Sequence, residues 1–340
     1  MQKMDSALRV LAALCLTVFG ASIVSAQVDA QLTAKKRLFA EIGPGLKAIR
    51  AGADGRIYVL ASPNPGLVVF SREGKRTMSM REAAGLPPEA RKEALSSGEV
   101  LVGFGEDFDV DAEGNLYVAD RANNALQVFA GSGKHLRTIP INSPVSVATL
   151  PEGEVAVTTL REPELVSVFD KNGREVREFG DPESLTDRLD LNRFLNVGQL
   201  GNDSRGHLYY AFEYFPEPTV RQYDRFGYAG QDIVFHEIDA LGEAQAVRRE
   251  IAKQEKKNEM PRFKRVVTAL GVEKDTGEIW IAMGSTVMRF DKEGNRRATY
   301  LLYTPEGARL EANALVVEKE RLIVGGDPIG IYEFERTEDK

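Results

Sequence analysis

One short motif recurs along this chain and narrows its possible folds more than any other feature. It is a turn followed by an apolar strand. It reads Asp54-Gly55-Arg56-Ile57-Tyr58-Val59, then Glu113-Gly114-Asn115-Leu116-Tyr117-Val118. It returns as Glu152-Gly153-Glu154-Val155-Ala156-Val157, Arg205-Gly206-His207-Leu208-Tyr209-Tyr210 and Thr276-Gly277-Glu278-Ile279-Trp280-Ile281. A sixth copy, Lys319-Glu320-Arg321-Leu322-Ile323-Val324, carries Glu in place of Gly. Glycine suits this place because tight hairpin turns often need a positive φ.

A second marker follows each turn at 15, 15, 16, 17, 13 and 14 residues: Phe70, Phe129, Phe169, Tyr223, Phe290 and Phe334. Four residues beyond each of the first five aromatics stands another glycine, namely Gly74, Gly133, Gly173, Gly227 and Gly294. Residues 107–139, DFDVDAEGNLYVADRANNALQVFAGSGKHLRTI, show the whole unit. Four apolar runs, at 108–110, 116–119, 126–129 and 136–139, are each bounded by turn residues. Their alternation suits half-buried strands. The unit is one four-stranded meander.

A repeat of roughly 40 residues built from four strands predicts propeller blades. One such sheet cannot bury both faces alone, whereas a ring of them can. A β-sandwich or a solenoid is the alternative. The expected fold is all-β: a six-bladed β-propeller of four-stranded antiparallel blades. The sixth unit lacks a fourth strand, and residues 37–42 are expected to supply it. An N-terminal strand would then complete the last blade and leave no raw edge.

Residues 1–26 read as a secretory leader, with Lys3 and Arg9 before an apolar segment at 10–24 and Val24-Ser25-Ala26 at the cleavage site. Residues 27–340 read as a single propeller domain. The only cysteine, Cys15, lies within the leader, behind Leu14 where a lipoprotein signal needs a small residue. The mature chain then has no disulfide, thiol nucleophile or thiolate metal site. The leader carries Lys3, Arg9 and Asp5, so its loss takes the net charge from −7 to −8. Such an acidic chain is a poor partner for nucleic acid, which needs a basic footprint. An extracytoplasmic protein, periplasmic or secreted, with no integral membrane segment after cleavage, is expected.

Excess length collects at residues 79–100, 181–196 and 236–265. Pro87-Pro88 opens a predicted helix running to Leu95. Residues 240–257 are rich in helix formers, with Leu241, Ala244, Val247 and Ile251 forming a stripe that should dock on the ring. Each insertion joins the outermost strand of one blade to the innermost strand of the next. In a meander ring these connections share one face with the loops between second and third strands. Function in repeat proteins gathers where insertions gather.

Residues EGNLYVADRANNALQVFAGSGKHL resemble the NHL repeat, with its Gly-Asn-hydrophobic-Tyr-Val-Ala-Asp core and a following hydrophobic-Gln-Val-Phe. Ala125 departs from the pattern, where the repeat commonly has Arg. As six units, residues 36–335 look like bacterial six-bladed propellers of the NHL type. The resemblance implies a fold. Relatives include protein- and RNA-binding modules, lactonase-like enzymes and an amidating lyase, so it does not select a reaction.

A hydrolase of the gluconolactonase or paraoxonase type would need hard-cation ligands converging from several blades. The innermost strands offer Arg50, Asp107, Asp109, Gln199, Glu273 and Asn313. Arg50 would oppose a cation there and pair with Asp109 instead. The alternation of Asp107, Asp109 and Asp111 reads as a solvated strand face. His135 and His207 read as surface residues, and His236 opens the largest insertion. No zinc spacing or nucleophile elbow is present. Among the loops, Asp120, Arg121 and Asn124 form one polar cluster, and Tyr214 and Phe215 are candidates for exposed aromatic anchors, with packing of Phe212 and Phe215 under the neighbouring helix as the alternative. Trp280 is expected in the core.

The expected function is a protein- or ligand-binding scaffold acting through the inserted loops, without a cofactor. The binding candidates are Arg50, Asp107, Asp109, Asp120, Arg121, Asn124, Tyr214, Phe215, His236 and Asn313. The alternative is a metal-dependent hydrolase or lactonase with calcium or another divalent cation in the central channel.

Overall fold

The computed structural model describes residues 28–160, 163–235, 242–257 and 261–336. The predicted leader and His236 lie outside them. Two short strands come first, β1 (Ala30–Thr33) and β2 (Lys36–Leu38). Blade one follows as β3 (Leu46–Ala51), β4 (Ile57–Ala61), β5 (Gly66–Phe70) and β6 (Arg76–Met80). Helix α1 (Pro88–Ser96) leads to blade two: β7 (Gly105–Val110), β8 (Leu116–Asp120), β9 (Ala125–Phe129) and β10 (His135–Pro140). Blade three is β11 (Pro144–Thr149), β12 (Val155–Thr159), β13 (Val166–Phe169) and β14 (Glu175–Phe179). After α2 (Leu189–Leu195), blade four is β15 (Gly198–Asn202), β16 (Leu208–Phe212), β17 (Thr219–Tyr223) and β18 (Ile233–Val234). Beyond α3 (Gly242–Gln254), blade five is β19 (Ala269–Val272), β20 (Ile279–Met283), β21 (Thr286–Phe290) and β22 (Arg296–Tyr303). Blade six holds β23 (Glu311–Val317), β24 (Arg321–Asp327) and β25 (Gly330–Glu335).

From β3 onward the strands of each sheet run in chain order from the channel outward, and β3, β7, β11, β15, β19 and β23 neighbour one another around the ring. The marker glycines explain the tight turns. Gly55, Gly114, Gly153, Gly206 and Gly277 have φ between 76° and 86°, a region that side chains with a Cβ avoid.

β2 pairs antiparallel with β25 and completes blade six. The closing strand is shorter than residues 37–42 would give. Phe39 turns out of it with φ of 48° and stacks on Phe70, ring centroids 3.9 Å apart. Ile42 then buries itself in the seam between blades six and one. β1 was not anticipated: it adds a fifth, parallel strand to β22 at the rim of blade five.

The core is a set of six wedges between neighbouring sheets. Between blades one and two, Tyr58, Leu60 and Val69 meet Phe108, Val118 and Phe129. Burying one such Val, Leu or Phe contributes roughly 1.5–3 kcal/mol. All six aromatics that end the third strands are buried. Trp280 is 2% exposed, as expected, and donates through its indole N–H to Glu278 Oε1 at 2.6 Å.

The predicted helices form at 88–96 and 242–254. Ala244 and Val247 of α3 are buried in the wedge that holds Leu195, Phe212 and Phe215, with Ile251 packed against it. Leu241 lies outside the described residues. No helix among the described residues is long and apolar enough to cross a membrane.

Candidate functional site

The six innermost strands surround a channel whose polar groups stitch the blades together. Arg50 Nη2 donates to Asp107 Oδ1 at 2.7 Å, and Arg50 Nε lies 3.6 Å from Asp109. Asp107 Oδ2 accepts from Ser146 Oγ at 2.6 Å and from the Val147 amide at 3.2 Å. Asp109 Oδ2 accepts from the amide and hydroxyl of Thr149 at 2.7 and 2.8 Å. Blade four joins through the Leu200 amide, which donates to Ser146 Oγ at 3.0 Å. The Leu270 amide of blade five donates to Gln199 Oε1 at 3.2 Å, and Thr268 Oγ1 donates to the Ala312 carbonyl of blade six at 2.5 Å. At the opposite end, Lys274 Nζ donates to Asn202 Oδ1.

Two of the three alternating aspartates, Asp107 and Asp109, are therefore not on a solvated face, whereas Asp111 is half-buried. Asp107 and Asp109 are 8% and 4% exposed, each bonded to the next blade. Burial pushes the Asp107 carboxyl up, and the Arg50 charge and the Ser146 hydroxyl offset it only in part.

At the insertion face the channel opens into a cavity of about 280 Å³, walled by Lys47, Arg50, Glu106, Glu213, Arg265 and Asn313 among others. Lys47, Glu106 and Asn313 occupy equivalent places in blades one, two and six. Each sits where the pairing register between first and second strands shifts by a residue. Such bulges re-aim a side chain. Lys47 Nζ donates to Glu106 Oε2 at 2.9 Å, and Arg121 Nη1 donates to Glu106 Oε1 at 2.9 Å. Burial works to raise the Glu106 carboxyl, but these two cations outweigh it and hold it below the usual range.

Glu213 follows β16, and Arg265 ends the largest insertion. Arg265 Nε lies 2.9 Å from Glu213 Oε2, yet no hydrogen bond is directed at that oxygen. The contact is one of charge. Gln199 Nε2 holds the other oxygen at 2.9 Å. Burial pushes the Glu213 carboxyl up, with Arg265 and Gln199 countering. A groove of about 340 Å³ adjoins the mouth along the seam of blades six and one. It is lined by Ile42, Gly43, Pro44 and Ile329 and shares Asn313 with the mouth.

Of the residues picked from sequence, Arg50, Asp107 and Asn313 line the mouth, and Arg121 reaches it through Glu106. Asp109 lies deeper. Asp120 is buried and accepts from the Gly103 and Phe104 amides at 2.9 and 3.1 Å, tying the end of β8 to the segment that enters β7. Asn124 Oδ1 accepts from the Ser143 amide at 3.0 Å, bridging to blade three. Phe215 is not an exposed anchor: it is 6% exposed and stacked on Phe212. Tyr214 is half-buried near Phe263.

Sequence reasoning missed Lys47, Glu106, Glu213 and Arg265. Aligning the units on their first strands would have placed Lys47 and Glu106 level with Asn313. It also missed Glu82 in the first insertion, 2% exposed, which accepts from Ser62 Oγ at 2.5 Å and from the Gly105 amide at 3.2 Å. Burial raises its carboxyl to about 7 against the pull of those two bonds.

The carboxylates at the mouth do not fit a divalent cation. Glu106, Asp107 and Glu213 each face an arginine or lysine already. Among the described residues, no group of three or more His, Cys, Asp or Glu is arranged to hold a metal ion.

No protein-family model matches the sequence. No curated protein matches it either. Solved structures do share its architecture. A streptogramin B lyase is 11% identical, with 89% of this chain and 86% of that chain covered and a TM-score of 0.53. A catalytically inactive virginiamycin B lyase from Staphylococcus aureus, solved with quinupristin, is 9% identical over 89% and 99% of the two chains, with a TM-score of 0.54. A gluconolactonase from Xanthomonas campestris is 14% identical over 86% of each chain, with a TM-score of 0.51. At these identities the likeness is one of fold.

Proposed function

We propose that this chain is an exported propeller of the NHL type that works as a binding module, with the channel mouth on the insertion face as its recognition site. The observation that carries this is the convergence at one cavity. Residues from separate blades meet there with Arg265, from the end of the longest insertion. Deeper in the channel, the polar groups are consumed in joining blades. At the mouth, Arg265 and Asn313 remain at the surface. The NHL assignment draws on the Gly-Asn-Leu-Tyr-Val-Ala-Asp run of blade two, and export draws on the leader at residues 1–26. The partner is a small molecule, or a protein segment small enough to enter the mouth.

A lactonase built on a divalent cation fits these residues less well, because the mouth sets lysine and arginine against every carboxylate. The test is Asn313→Trp, which fills the wall common to mouth and groove. A library of metabolites and short peptides, read by thermal shift, should yield ligands that stabilise the parent and not the variant. Ligands that stabilise both equally would overturn the reading.

A further inference from the structure

The ion pairs around the mouth are layered in one sense. In Lys47–Glu106 the cation side chain is 27% exposed and the acid 14%. In Arg50–Asp107 the values are 24% and 11%, in Arg121–Glu106 51% and 14%, and in Arg265–Glu213 44% and 3%. Every acid lies beneath its cation. A molecule arriving from solvent meets ammonium and guanidinium groups first, on a chain whose net charge is −7.

Resting on the binding role proposed above, we infer that the ligand of the mouth is a small organic monocarboxylate, its head against Arg265 and Lys47 and its body along the groove. A guanidinium carries five N–H donors in a fork that matches a carboxylate. Glu213 is more than nine-tenths buried, and its Oε2 receives a charge contact and no directed bond. Arg265 keeps its Nε on Glu213, and with 44% of its side chain exposed a ligand can reach the guanidinium without the ion pair opening. The buried acids select a single charge. Glu106, Asp107 and Glu213 beneath the cations would repel a phosphate dianion more strongly than a carboxylate. The adjoining groove, with Gly43, Pro44 and the Asn313 amide, gives room for a hydroxylated or short aliphatic body.

The test is calorimetric titration of the full chain with sodium glucuronate, lactate and hexanoate, against glucose and inorganic phosphate. At least one carboxylate should bind saturably. Its affinity should fall at least tenfold in Arg265→Gln and as the salt is raised, and phosphate and glucose should bind at least tenfold more weakly. Arg265→Gln leaves Glu213 buried beside a neutral group. Arg265→Gln with Glu213→Gln therefore serves as a second variant, and Trp280 emission reports whether each is folded. Binding of glucose or phosphate as tight as the carboxylate, or no loss in either folded variant, overturns the inference. If neutral ligands bind at the mouth and lose affinity in Asn313→Trp, the binding role stands and the carboxylate does not. If nothing binds there, both fall.

Discussion

Arg50 of blade one lies 2.7 Å from Asp107 of blade two, inside a channel where Asp107 also takes a hydroxyl and an amide from blade three. One carboxylate thus joins three sheets. Arg50→Met leaves that carboxylate buried without its countercharge. The expected loss is near the low end of about 3–5 kcal/mol, since Arg50 keeps some solvent contact. Adding Asp107→Asn should recover at least half of it. Urea unfolding followed by Trp280 emission measures both.

Glu82 gives the fold a pH dependence of definite sign. Its carboxyl titrates at about 7 in the folded chain, against an ordinary value of 4.5. Between those values the folded state holds a proton that the unfolded state has released. The contribution of Glu82 is full below about 4.5 and is lost as pH rises through about 7. The melting temperature of Glu82→Gln should fall less over this window than that of the parent.

Two glycines with like backbones should respond differently to a methyl group. Gly307 has φ of 84° and no atom within 4 Å of an added Cβ. Gly227 has φ of 94°, and its Cβ would stand 2.4 Å from Phe179 Cδ1. Gly307→Ala should cost about 1–2 kcal/mol from the left-handed backbone alone. Gly227→Ala should cost clearly more, because the Phe179 ring must also move off Tyr223. Thermal unfolding of the two variants side by side makes the comparison.

Removing residues 28–38 takes β1 and β2 away together. The outer edges of β22 and β25 would then present unpaired amides and carbonyls, which invite pairing between chains. Lower thermal stability and concentration-dependent self-association, seen by light scattering after size exclusion, are the expected results.

The blades were legible because their signals are local. A glycine at a positive-φ turn and an aromatic at a strand end each follow from a few neighbouring residues. β1 was not legible: Ala-Gln-Leu-Thr has little apolar pattern, and its place comes from Tyr300 to Tyr303, some 270 residues away. Asp107 and Asp109 read as solvated because Ser146 and Thr149, which bury them, come from the next blade. Lys47, Glu106, Glu213 and Arg265 are unremarkable singly. Only ring closure makes them one site. Arg50 and Asn313 were found because they are polar residues on first strands, which line the axis of a propeller.

Ala30–Thr33 and Lys36–Leu38 are adjacent in the chain yet belong to neighbouring sheets, each on the outer rim. The segment behaves as a strap over the circumference, and the hub is fastened separately by its own charges. Tension applied at Val28 would run along the perimeter, undoing the strap before the hub bore any load. An external tether there would leave the mouth of the channel clear.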